Sequence, residues 1–395
     1  MNCLGIELGN LKISGVYEDH NHLYTLTFGN DGPLFSACSY TQAGGWRYGT
    51  DCMRDLFLPE SFVYTHSLQF YPMEYTNENA TMVMNDSPLV LCDRDGRIAY
   101  GTKRNNRVTI KTDDIISALA RRIYDSYCAA KKNGNSDVEA VVVLPSVFFV
   151  RRDAPIEPLM NIIANSGFRR VSAVSEPNAV IRVLCEERAL YPSGNYLIVC
   201  CGEIYNDYCV TKQLAIVNDY PTPTASGRNL EYDIVHYILE EKLPKEQRDY
   251  YNALSDDERM IFHRECVFSV RASLFDYLRN FGALTISLRL KDAFQVPVPE
   301  TELNRLCFDY ARALAKHAYD RIGESLPSTY RLVLCGDFGL MKEVKEAFKE
   351  QFKIRDADIR VKRPSTFAEG ALMYCKDARE ERPNIYRVFP VCSTC

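Results

Sequence analysis

The sequence has no long apolar run. Its longest, Val141–Val150, is broken by Pro145 and Ser146 and falls far short of the roughly 18 residues of a membrane span. The N-terminus lacks the basic start and apolar core of a secretory signal. Basic residues are not in excess either. Lys and Arg number 47 against 52 Asp and Glu, for a net charge of −5 and a pI near 5.8. No global pull toward nucleic acid or an anionic membrane follows from that balance. The CxxC at Cys392 and Cys395 has no second pair nearby, so a four-ligand zinc site is not expected. Ser393-Thr394 is not the aliphatic centre of a prenylation box. Tandem repeats of solenoid length are missing. These absences leave a cytoplasmic protein that engages neither membrane nor nucleic acid.

Cysteine, in contrast, is plentiful. The 15 cysteines are odd in number and scattered, and Cys92, Cys200, Cys201 and Cys335 sit inside apolar runs. There a cysteine acts as a small hydrophobe, and reduced thiols are expected. With 395 residues and 46% hydrophobic content, the chain can bury a sizeable core as two domains or one bilobal unit.

Two stretches share one shape. Tyr196–Cys201 is apolar, Gly202 to Asp207 is a polar break, and Tyr208, Val210, Leu214, Ile216 and Val217 resume. Earlier, Cys3–Leu8 is apolar, Gly9-Asn10 breaks it, and Ile13–Tyr17 resumes. Apolar runs split by a turn read as β-hairpins. Two such hairpins suggest two similar halves, with a ligand between them and both tips directed at it.

The remaining chain alternates strands and helices. Residues 1–50 are strand-rich, and 51–110 are hard to read, with a loop over Asn77–Ser87. The spacing of Ile115, Ile116, Leu119, Ile123 and Tyr127 predicts an amphipathic helix over 113–132. Val138–Leu144 is too uniformly apolar to be half-exposed. Further helices are predicted over 155–166, 175–188, 229–242, 245–281 (as a charged pair running on), 299–322, 342–352 and 367–376, with strands at 171–174, 284–290 and 331–335. Strands alternating with helices mean an α/β protein.

In this order the landmarks resemble those of the ATPase domain of the 70-kDa heat-shock chaperones (DnaK-like), a member of the actin and sugar-kinase superfold. Gly5-Ile6-Glu7-Leu8-Gly9 looks like the first phosphate loop, and Ile198–Cys209 looks like the second. Val143-Leu144-Pro145 with Phe148 or Phe149 is similar to the family's strand after the first crossover. Ser166-Gly167-Phe168 to Ser175-Glu176-Pro177, Ser226-Gly227, Leu332 to Gly336, and Pro364 to Gly370-Ala371 follow in family order. The resemblance spans Gly5 to about Ala371. It implies an actin-like bilobal fold, two ribonuclease-H-like halves flanking a central cleft. It places lobe I at 1–190, lobe II at 191–376 with a helical insertion near 229–281, and a tail at 377–395. No peptide-binding half follows Ile385–Val391, so the ordinary chaperone cycle is not expected of this sequence alone.

The family holds Mg-ATP with backbone N–H groups at Gly-rich tips and with carboxylates that order the magnesium waters. Carried over residue by residue, the nucleotide positions are Glu7, Gly9, Asn10, Gly202, Gly227, Arg271, Gly336 and Asp337. The metal positions are Glu7, Glu176 and Asp207. The chemistry departs from the pattern. Glu7 replaces Asp and Asn10 replaces Thr. The second loop reads Cys200-Cys201-Gly202-Glu203-Ile204-Tyr205, with Cys200 at the metal-facing Asp and two glycines replaced. A positive φ at Glu203 or Ile204 would cost about 1–2 kcal/mol. Met53 stands where the catalytic lysine is expected, beside Arg54. Phe268, Arg271, Ala272 and Phe275 stand at the adenosine-helix positions.

Each retained residue also has a plain structural role. Glu7 is either a magnesium-water ligand or a polar residue at a strand end. Glu176 caps a helix before Pro177 or takes part in chemistry. Asp207 is a metal-site carboxylate or a turn aspartate. The cluster Lys103, Arg104, Arg107 and Lys111 reads as a solvated loop. Three functions are compatible with these losses: a pseudo-ATPase scaffold or regulatory module with a protein partner, a divergent Mg-ATP/ADP-binding switch, or a small-molecule kinase. The kinase suffers most from Cys200, since a thiol replaces a carboxylate base.

Overall fold

A computed structural model describes residues 2–29, 32–41, 45–56, 62–65, 71, 90–92, 95–100, 110–131, 137–150, 156–187 and 194–377. The predicted loop at 77–87, Lys103, Arg104, Arg107 and the tail piece at 385–391 lie outside them. The fold is mixed α/β. It forms two compact units, each gathered from separate segments. Unit 1 comprises Met1–Leu34, Ile116–Ser226 and Ala311–Cys395; unit 2 comprises Phe35–Ile115 and Gly227–Tyr310.

Unit 1 contains two sheets of the same connectivity. In the first, β1 (Asn2–Leu8), β2 (Lys12–Asp19) and β3 (His22–Thr25) form an antiparallel meander. β4 (Val138–Leu144) and β5 (Arg170–Ser175) then extend the other side of β1 in parallel, giving the order β5-β4-β1-β2-β3. The second sheet repeats this plan. β6 (Tyr196–Cys201), β7 (Asn206–Lys212) and β8 (Ala215–Thr222) form the meander. β9 (Arg331–Cys335) and β10 (Ile359–Val361) add in parallel, giving β8-β7-β6-β9-β10.

The central strands read as Val-rich runs because they are covered on both faces. Val141, Val143, Tyr196, Ile198, Val333 and Phe367 share one core with helix α1 (Glu176–Glu186) and helix α2 (Thr366–Asp377). α2 lies so close on β1 that a Cβ at Gly5 would come 2.0 Å from the Ala368 carbonyl oxygen. Only glycine permits that approach.

In unit 2 the long helix Asp256–Asn280 opens with a capping box in which Ser255 and Glu258 bond reciprocally. The helix predicted over 229–242 starts at Gly227 and ends in a π turn, Ile238–Lys242. Leu284–Arg289 pairs with a strand not anticipated, Ala293–Val298. Pro297 argues against a strand in sequence, but an isolated two-stranded ribbon tolerates it. β10 was also unanticipated; three residues at a sheet edge carry little pattern.

Among the described residues no helix is long and apolar enough to cross a membrane. The described cysteines are free thiols.

Candidate functional site

The tips of β1–β2 and β6–β7 both belong to unit 1. At the first, the Gly9 N–H donates to the Lys12 carbonyl at 2.9 Å, closing a tight turn. Asn10 is buried at this tip, and its Oδ1 has no hydrogen-bond partner. Lys12, the first residue of β2, is only 3% exposed. Its ammonium lies 2.7 Å from Asp337 Oδ1, 3.2 Å from Glu7 Oε2 and 3.1 Å from the Pro364 carbonyl oxygen. Three N–H donors thus meet three oxygens, which is a complete set for an ammonium. Burial alone would lower the Lys12 pKa, but Asp337 and Glu7 outweigh it and hold the ammonium charged. Glu7 also accepts from Ser14 Oγ at 2.7 Å. Burial raises its pKa to about 7, against the pull of Lys12.

Gly336, at the turn after β9, has φ of 82°, and a Cβ there would come 2.5 Å from the Cys201 carbonyl oxygen. That turn delivers Asp337 to Lys12. Sequence reasoning passed over Lys12. Its signal was present: a lysine two residues beyond a turn, opening a strand whose next residues are apolar or small.

Gly202 lies at the second tip, between β6 and β7. Glu203 and Ile204 follow it with their side chains buried, and neither has a positive φ. The strain expected of the two glycine replacements is therefore absent. Cys200 is fully buried on β6 beside its register partner Cys335, with the two sulfurs 3.5 Å apart. Burial, then Cys335, pushes the Cys200 thiol well up, so it stays neutral. It packs as core at the position that the sequence resemblance matches to a carboxylate.

Asp207, opposite Cys200 on β7, is fully buried and accepts from the Ser146 backbone N–H at 2.9 Å. Burial, with Asp219 adding to it, raises its pKa to about 7. Glu176 is the first residue of α1, next to Pro177. Its carboxyl is pushed well above the usual range by burial first, then by Asp207 and Glu7. Glu176 thus feels both of the other predicted metal carboxylates. Among the described residues, though, no three His, Cys, Asp or Glu side chains converge to hold a metal directly.

Neither the protein-family models nor the curated proteins searched contain a match to this chain.

The remaining predicted nucleotide residues, Gly227 and Arg271, lie in unit 2. Gly227 is the buried first residue of the helix Gly227–Tyr237. Arg271 was expected to contact a nucleotide, but it is 1% exposed and committed elsewhere. Its Nη2 and Nε donate to Glu231 Oε2 at 2.9 and 3.1 Å, and its Nη1 donates to Thr65 Oγ1 at 2.6 Å. A local motif cannot reveal a partner forty residues away. Phe268 and Phe275, at the other adenosine-helix positions, pack against Phe35 with ring centroids 5.9 and 5.4 Å apart. Met53 lies in the one-turn helix Gly49–Arg54, where Arg54 is exposed.

Proposed function

We propose that this chain is a degenerate ATPase-domain protein of the heat-shock-70 type, a cytoplasmic scaffold or regulatory module that binds a protein partner and does not hydrolyse ATP. Its fold is the actin-like one, with the two sheets of unit 1 as the cores of two ribonuclease-H-like halves. Their matched order, meander first and parallel strands second, supports that assignment.

The observation that carries the loss of function is Lys12. A nucleotide site of this kind keeps its carboxylates for hydrated magnesium and its backbone N–H groups for phosphate. Here the chain supplies its own cation, and that cation consumes Glu7 and Asp337. The neutral Cys200 thiol and the internal ion pair of Arg271 with Glu231 point the same way. A second reading, a rewired nucleotide switch, draws on the influence of Asp207 and Glu7 on Glu176.

Thermal melting with and without Mg-ATP and Mg-ADP, backed by calorimetry, separates the two. Ligand at a hundred times its Kd adds about 2.7 kcal/mol of stability. No shift at millimolar nucleotide is expected, and a nucleotide-dependent shift beyond that given by magnesium alone would overturn the proposal.

A further inference from the structure

The second sheet of unit 1 has a groove at the end away from its tip. β6 and β9 run parallel, with Tyr196 beside Arg331 at their starts and Cys200 beside Cys335 toward the tip. Arg331 to Cys335 is about 13 Å of strand at roughly 3.3 Å per residue. A cavity of about 460 Å³ opens at the starting end. It lies between the segment that leads into β9 and the one that joins the helix Lys342–Phe352 to β10. That volume falls in the range of small-molecule sites.

The lining has two kinds of surface. Tyr330 and Phe352 supply aromatic area. Phe352 is held in place, stacked on Phe348 and met edge-on by Tyr319, each with ring centroids 5.4 Å apart. Arg331, Lys353 and Arg355 bring three cations against one carboxylate, Asp358. Asp358 is already committed, because its Oδ2 accepts from Arg355 Nε at 2.8 Å. That bond fixes one edge of a guanidinium whose side chain is 83% exposed, and the Nη groups have no partner among the described residues.

Lys353 stands out on two counts. Its ammonium has no ion-pair partner among the described residues; Asp356, three residues on, faces Lys345 and Lys349 instead. Lys353 also ends its helix in the left-handed region, with φ of 50°, where glycine or asparagine is the ordinary choice. A lysine there costs backbone energy that glycine would not, and such strain is kept where the residue has a use. The helix dipole is a weaker reason for it. Two last-turn carbonyls, Lys349 and Glu350, already accept from the Ile354 and Lys353 N–H groups.

We propose that this groove binds a small aryl phosphate. Three cations against one carboxylate leave the lining with a net charge of +2. A phosphate monoester carries about −1.5 to −2 at neutral pH. Guanidinium forks and a lysine suit its oxygens, and Tyr330 and Phe352 receive the ring. The lining residues fall outside every position carried over from the chaperone resemblance.

The full chain is titrated with phenyl phosphate by calorimetry, in buffer without magnesium or nucleotide. A Kd of about 0.1–1 mM is expected for a ligand of this size. Inorganic phosphate is expected to bind about tenfold more weakly, since it lacks the ring, and added salt to weaken both. Lys353→Gly suits the left-handed backbone, so it is expected to keep Tm at or above that of the unsubstituted protein while weakening phenyl phosphate about tenfold. Arg355→Gln, on an exposed side chain, is expected to weaken it by a similar factor. No heat from phenyl phosphate, equal affinity for inorganic phosphate, or binding that Lys353→Gly leaves unchanged overturns the proposal. With no nucleotide present, that failure leaves the loss of ATP binding untouched.

Discussion

At the first hairpin of unit 1 the buried carboxylates face an ammonium; at the second they face each other. Glu7 and Asp337 share Lys12, whose three donors are fully used. Asp207 and Asp219 share only the neutral Ser146; burial raises both, and Asp219 raises Asp207 further. The same strand plan therefore carries opposite electrostatics at its two tips. The first tip is met by a cation of its own chain, and Asp207 at the second is met by the Ser146 backbone N–H. The difference teaches that one strand plan can neutralise its carboxylates from within the chain at one tip and instead hold a buried carboxyl high in pKa at the other.

The largest test of this contrast is to remove the internal cation. Lys12→Met leaves the buried Glu7 and the partly buried Asp337 uncompensated and is expected to cost about 3–5 kcal/mol in urea unfolding. Glu231→Ala, which strands Arg271 in unit 2, sets a benchmark of similar size, about 3–5 kcal/mol. Should Lys12→Met cost far less than this benchmark, the first tip is not held by its ion pairs.

A pH titration of stability comes next. Folded pKa values of about 7 for Glu7 and Asp207, and about 6 for Asp219, exceed the ordinary values of 4.5 for Glu and 3.8 for Asp. The folded state then holds protons more tightly than the unfolded state. Stability from these groups is full below about pH 4 and is lost as pH rises through about 7. At roughly 1.4 kcal/mol per pKa unit, each of the three groups should contribute a loss of about 3–4 kcal/mol over that range. A urea midpoint that rises from pH 5 to pH 7.5 in chelator would contradict the assignment.

A smaller effect separates the tips directly. In chelator, Asp207→Asn removes a charge that has no counter-ion, so it is expected to be neutral or stabilising by about 1 kcal/mol. A loss as large as that of Lys12→Met would erase the contrast. Smallest is Cys200→Ala, expected to cost about 1 kcal/mol as an ordinary core truncation.

The sequence discloses much of this architecture because the relevant signals are local. The breaks at Gly9-Asn10 and Gly202 sit between apolar runs, and both hairpins form there. The helix predicted over 113–132 spans Thr112–Lys131, because its apolar residues recur at helical spacing. Val138–Leu144 is buried as its uniform composition requires. The site was less legible because its partners are remote. Glu231 redefines Arg271, Asp337 and Pro364 redefine Lys12, and Asp219 joins Asp207 only through strand register. A family motif names a position, but the charge that faces it is set by tertiary packing.

The near-contact of Gly5 with Ala368 reaches beyond the finished fold. β1 is made hundreds of residues before the helix that covers it. At about 5–20 residues per second, the ribosome leaves that face of β1 without its lid for tens of seconds. Both segments of unit 2 are synthesised within that interval and have the chance to fold first. Completion of unit 1 therefore waits for its last helix, and until that helix is made the face of β1 at Gly5 stays open on the nascent chain.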